Sequence, residues 1–138
     1  MIHKILIAYD GSESAKHALD FALELATRYD AELHVLAVAR TPEFGEEVEI
    51  EALIEQSRRH VEHVLQAVKN RLAGSPLKIS FEIDIGHPAV QIVRYAERHG
   101  IDHIVVGHRG HTVFDGWLLG SVAKQVMAHA RCAVTVVR

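Results

Sequence analysis

Val105-Val106-Gly107-His108-Arg109-Gly110-His111, with Gly120-Ser121 beyond a nine-residue spacer, is the most informative stretch of the chain. The run Ile104-Val105-Val106 is apolar and β-branched and stops at Gly107, as a buried parallel strand does before a loop into a helix. Gly107 and Gly110 permit either a positive φ or a close approach of backbone to ligand. A helix is expected to open at or near Gly120-Ser121, with Ser121 able to cap Val122-Ala123-Lys124-Gln125-Val126-Met127-Ala128. The N–H groups at such a helix start, aided by its dipole, suit phosphate oxygens. The pattern is that of a phosphate cradle without a Walker lysine; the plainer alternative is a pair of glycines that only make a turn.

Other runs repeat the strand-turn-helix theme. Ile5-Leu6-Ile7-Ala8-Tyr9 is bounded by Asp10-Gly11-Ser12, which puts Asp10 at a strand's C-terminal end. Ser12 or Ser14 can cap the helix that follows, with Ala15, Ala18, Leu19, Ala22, Leu23 and Ala26 on one face as far as about Tyr29. A second strand is expected over Glu32 to Val38, and the segment from Arg40 to Glu47, with Pro42 and Gly45, reads as a loop. A longer helix follows from about Val48 to Leu72, with Leu53, Val61, Val64, Leu65 and Val68 on one face. Ile79, Phe81, Ile83 and Ile85 alternate with polar residues, as in a strand near a sheet edge. Pro88 suits the first turn of a short helix whose apolar face is Val90, Ile92, Val93 and Ala96 and which Gly100 closes. Ala133 to Val137 form the last strand. The order βαβαβαβαβ predicts a three-layer α/β sandwich around a five-stranded parallel sheet. Ligands in such sheets bind where strand order reverses; a reversal between the first and fourth strands brings Asp10 and Gly107 together.

At 138 residues the chain fits one domain, residues 1–138, large enough for a substantial core. A net charge of −3 and the lack of a basic cluster argue against nucleic acid as a partner. No apolar run approaches the roughly 20 residues of a membrane span, and the start shows no signal-peptide pattern. With Cys132 the single cysteine, no internal disulfide can form, and a cytoplasmic location is expected.

The spacing Gly-x2-Gly-x9-Gly-Ser resembles the nucleotide-binding motif of the universal stress protein family. The likeness extends over essentially the whole chain, through Ile7-Ala8-Tyr9-Asp10-Gly11-Ser12, Gly86-His87-Pro88, Asp102-His103-Ile104-Val105-Val106-Gly107 and His129-Ala130-Arg131-Cys132-Ala133-Val134-Thr135-Val136-Val137. It implies an adenine-nucleotide α-hydrolase-like, Rossmann-like sheet of order 3-2-1-4-5, and a homodimer joined through residues 133–138. The implied ligand is ATP, or ADP or AMP, with Mg2+. Its implied contacts are Ala8, then Asp10, which lies near ribose and phosphates, and Val38, whose backbone meets the adenine. Val106, Gly107, Arg109 and Gly110, with Gly120, Ser121 and Val122, hold ribose and phosphate in this picture. Every glycine of the motif is present, which favours the ATP-binding branch of the family.

Each candidate residue also has a plainer reading. Asp10 is either a turn residue or a contact to ribose or a magnesium ion. Arg109 is either a solvated loop cation or a phosphate partner. His108 and His111 lack a third ligand for zinc and better suit a phosphate contact that strengthens as imidazole protonates. His60 and His63 read as a solvent-facing pair, and Trp117 as packing. Val134, Val136 and Val137 would leave an apolar strand edge that pairing with a second copy would cover. The function expected is a nucleotide-dependent regulatory module of a stress response. A slow ATP-hydrolysing enzyme and a nucleotide-free dimeric adaptor are the alternatives; no residue is an evident water-positioning base.

Overall fold

The short β-branched runs become strands and the periodic ones become helices, in the order β1 (Lys4–Ala8), α1 (Glu13–Tyr29), β2 (Glu32–Arg40), α2 (Glu47–Leu72), β3 (Ile79–Gly86), α3 (Pro88–His99), β4 (His103–Gly107), α4 (Ser121–His129) and β5 (Ala133–Val137). The structure is a computed structural model that describes residues 1–109 and 119–138. All strands are parallel and lie in the order β3-β2-β1-β4-β5, the expected arrangement. The chain therefore leaves β1 toward one edge and returns to its other side at β4, with Ile5 opposite His103 and Ile7 opposite Val105. That reversal opens a crevice above the C-terminal ends of β1 and β4.

Side chains alternate across the sheet and so feed two separate cores. Ile5, Ile7, Leu33, Val35, Ala37 and Val105 point to the α1 and α2 side. Leu6, Leu36, Ile104 and Val106 point to the α3 and α4 side. Ile5, Leu6 and Ile7 are fully buried, and each such side chain contributes about 2–3 kcal/mol of apolar burial. α1 meets the sheet with Ala15, Ala18, Ala22 and Ala26, whose small side chains let the helix axis approach closely. Ser12 is its N-cap, the hydroxyl accepting from the Ala15 amide at 3.2 Å.

Several local expectations shift. β2 runs on to Arg40, because β3 continues beside it and pairs Arg40 with Gly86. α2 starts at Glu47, and only Leu65 and Val68 are buried along it; Leu53 is 47% exposed, since the N-terminal half extends past the core. On α3 the buried face is Ala89, Ile92, Tyr95 and Ala96, and Val90 points outward. Tyr95 takes the inner position because its hydroxyl reaches the Nδ1 of His34, a buried histidine on β2, at 2.7 Å. Burial holds the His34 imidazole below its ordinary pKa, against the opposing pull of Glu32. Burial, with Glu82 and Asp84 nearby, pushes the Tyr95 phenol up to about 12. No described helix is long and apolar enough to cross a membrane.

Candidate functional site

The crevice is a cavity of about 840 Å³, within the range of roughly 300–1,000 Å³ usual for small-molecule sites. Ala8, Tyr9 and Asp10 enter it from the end of β1, Val38 and Arg40 from β2, and Val106 to Arg109 from β4 and the loop after it. Leu119 to Lys124 come from the start of α4, with further walls from α2 and α3. Of the expected contact residues, Ala8, Asp10, Val38, Val106, Gly107, Arg109, Gly120, Ser121 and Val122 all line this one cavity. Gly110 lies outside the described residues, as do His111, Asp115, Gly116 and Trp117.

Gly107 is required for a reason the sequence did not reveal. Its φ is not among the positive ones, so turning is not its role. A Cβ at this position would lie 2.5 Å from the Ser14 Oγ, 2.9 Å from the Ser14 carbonyl carbon and 3.0 Å from the Ala15 nitrogen. The first turn of α1 rests directly on the end of β4, and only a residue without a side chain leaves room. Ser14 is accordingly not a cap. It is buried, donates its hydroxyl to the Arg109 carbonyl and accepts from the Arg109 amide at 3.4 Å. This serine fastens the glycine loop to α1.

The amides of His108, Arg109 and Gly120, in the described part of the loop, are committed within the protein. That of His108 donates to the Val137 carbonyl at 2.7 Å, and that of Gly120 to the His108 carbonyl at 2.7 Å. Gly120, not Ser121, is the N-cap of α4, with an extended backbone (φ −64°, ψ 153°) and no side-chain cap. Ser121 is the first helical residue, too far along to cap its own helix. The amides of Ser121, Val122 and Ala123 consequently have no acceptor among the described residues, and these three residues and Lys124 line the cavity. Among the described residues, the backbone amides left open for a cradle of the kind read from the sequence are those of the first turn of α4.

Asp10 is a turn residue that also lines the cavity. Its Oδ1 accepts from the Ser12 amide at 2.9 Å, which fixes the turn, and its side chain lines the cavity. The Arg109 Nε donates to the His108 Nε2 at 2.9 Å, which leaves the neutral imidazole's proton on Nδ1. Burial first, and then the Arg109 charge, lower the His108 pKa, so a phosphate contact that strengthens on protonation is disfavoured at this position. Burial likewise raises the pKa of Tyr9, another lining residue, whose phenol stays neutral. No group of three or more potential metal ligands occurs among the described residues.

Sequence reasoning missed Arg40, Ser57, His60 and Lys124, all of which line the cavity. His60 is exposed, as a solvent-facing residue should be, and lines the cavity as well. Ser57, His60, Val61 and Val64 fall at the i, i+3, i+4, i+7 spacing of one helix face, and that polar break in an apolar stripe was the available signal.

An open parallel α/β sheet of order β3-β2-β1-β4-β5, with a cavity at the strand-order reversal, is of the class in which ligands bind at the switch point. The profile of the universal stress protein family matches residues 1–138, and the chain belongs to that family. It is 35% identical over 138 residues to Universal stress protein MJ0531 of Methanocaldococcus jannaschii, covering 98% of this chain and 81% of that protein. The solved structure of the universal stress protein UspA from Lactobacillus plantarum superposes with a TM-score of 0.88 at 30% identity, covering 99% of this chain and 97% of that one. A universal stress protein family protein from Arabidopsis thaliana, solved with AMP bound, shares the fold with a TM-score of 0.68 at 21% identity, covering 98% of this chain and 90% of that one.

Proposed function

We propose that the chain, as a single domain, is a cytosolic nucleotide-binding module of a stress response that takes ATP into the cavity and acts by binding rather than turnover. The observation that carries this reading is the uncapped first turn of α4: Ser121, Val122 and Ala123, whose amides have no described acceptor, line the cavity with Lys124. Amides and a cation of this kind suit a polyphosphate, and the helix dipole adds to them. In this reading Gly107, Arg109, Gly110, Gly120, Ser121 and Val122 surround ribose and phosphates, and Ala8, Val38 and Val106 bound the nucleoside. Magnesium arrives on the phosphates, with Asp10 the carboxylate among the described lining residues that faces it or the ribose. Hydrolysis needs a water-positioning base, and His108 is poorly suited, since one ring nitrogen is engaged by Arg109 and burial disfavours its protonation. A fold relative with AMP bound supports the adenine class of ligand. The same reading includes a homodimer through residues 133–138, where β5 forms an apolar sheet edge.

The test is to release and identify any small molecule that co-purifies, then to titrate ATP with and without magnesium. Binding with a Kd on the order of tens of micromolar or tighter is expected, and Gly110→Val with Gly120→Val should abolish it while leaving the fold intact. An empty protein with no affinity at millimolar ATP would overturn the proposal and leave Gly107 as an α1-packing residue alone.

A further inference from the structure

The long helix α2 behaves as two different halves. Leu65 and Val68 anchor its C-terminal half in the core, whereas no residue from 47 to 60 is buried. Val61 and Val64 pack against the α1-side core, and the Val64 Cγ1 would stand 3.2 Å from a Cβ placed on Gly11, so α2 crosses directly over the turn that follows β1. This contact fixes the helix's rotation. His60 and Ser57 lie one and two turns before Val64 on the same face, and both line the cavity. The opposite face carries Glu55, Arg58, Arg59 and Glu62, joined by exposed ion pairs of 3.4 to 3.7 Å, and is directed to solvent.

We infer that Ser57 and His60 contact the nucleoside part of the ligand, and that through them the N-terminal half of α2 is a wall whose order depends on nucleotide occupancy. The inference rests on the nucleotide reading of the cavity. Neither side chain has a hydrogen-bond or ion-pair partner among the described residues, so their donors and acceptors are available to a guest. A hydroxyl and an imidazole each offer a donor and an acceptor, the complement of ribose hydroxyls and a base edge. Across the cavity Val38, Pro88 and Ile92 supply an apolar surface against which a planar base packs. Anionic groups are served at the opposite end, by the α4 amides and Lys124. A helix segment with no buried side chain draws little stability from its own packing, so contacts to a bound nucleoside change its opening equilibrium strongly. Occupancy of an interior site is thereby expressed on a long surface helix.

Hydrogen exchange on the full chain, with and without saturating AMP, tests the inference together with binding titrations of AMP and ATP. Amides in 47–60 should exchange about tenfold more slowly with AMP bound. Ser57→Ala with His60→Ala should weaken AMP and ATP by the same factor, about tenfold, and remove the slowing even at saturation. His60→Gln, which keeps a donor and an acceptor, should restore most of the His60 share. Protection confined to 106–109 and 119–123, or unchanged affinity in the double variant, would overturn the inference while leaving nucleotide binding intact. A loss larger for ATP than for AMP would put the pair on the phosphates and overturn it as well. A wild-type protein that binds neither nucleotide fails at the earlier step, and the cavity reading falls with it.

Discussion

The two edges of the sheet are finished in different ways. On β3 the residues Glu82 and Asp84 are inside the edge strand, and α3 brings His99 to 3.8 Å from the first and Arg98 to 3.6 Å from the second. Ile79, Phe81 and Ile83 turn to the other face and pack under α2, with the Lys69 ammonium 5.7 Å from the centre of the Phe81 ring. β5 carries no charged residue in Ala133-Val134-Thr135-Val136-Val137, and every one of these residues is at least partly exposed. Charges within an edge strand discourage further pairing, whereas a bare apolar edge invites it. One edge is completed by the chain's own helix, and the other is suited to completion by a second copy.

The largest effect should follow from giving β5 the character of β3. Ala133 is exposed, so Ala133→Lys should leave the folded chain within about 0.5 kcal/mol of its stability. A charge placed on this edge strand opposes pairing with a second copy and should weaken association about a hundredfold, ~3 kcal/mol. Sedimentation at micromolar protein should give a two-chain mass for the wild type and a one-chain mass for the variant. A wild type that sediments as one chain removes the proposed partner of β5 altogether.

The same contrast shows what the sequence made legible. Both edges were readable, because alternation in β3 and an uncharged, valine-rich run in β5 are local patterns. The strand order came from the family resemblance, since nothing in a strand's own residues says which neighbour it takes. Features that depend on two segments meeting were not visible. Gly107 read as a turn or ligand glycine, yet its constraint is Ser14, 93 positions earlier in the chain, against which its Cβ would clash. Tyr95 displaced Val90 from the inner face of α3 because of a histidine on β2. Likewise Ser57 and His60 become cavity residues only when α2 crosses the β1 turn. The glycine loop was legible as a place where the backbone approaches a cavity, but its hydrogen bonds were not. Three of its amides turned out to be used within the protein, by Val137, Ser14 and His108.

A smaller effect tests how β5 is held to the sheet. The His103 Nε2 lies 2.6 Å from the Thr135 Oγ1, a side-chain bond between β4 and β5 beneath the edge. Thr135→Val keeps the shape and removes that bond, and should cost about 1–2 kcal/mol at pH 7.5 in urea unfolding. Burial depresses the His103 pKa, with Asp102 opposing it. The folded protein therefore resists a proton that the unfolded chain accepts near pH 6.5, and stability must fall as pH drops below that value. His34 and His108 are depressed in the same direction, so all three steepen the acid limb. His103→Leu should flatten that limb in part; an unchanged profile would mean that His103 is protonated in the fold.

The smallest expected effect bears on β3. Its carboxylate pairs are long: Arg98 to Asp84 exceeds hydrogen-bonding distance, and the Asp84 Oδ2 has no hydrogen-bond partner although it is buried. Such pairs contribute about 0–1 kcal/mol, and the desolvation of Asp84 opposes even that. If their role is to keep a second strand away, Glu82→Gln with Asp84→Asn should leave stability within about 0.5 kcal/mol in urea while raising light scattering on heating. A clear loss of stability with unchanged scattering would make them structural ion pairs. The two edges would then differ in composition but not in how they treat a neighbouring strand.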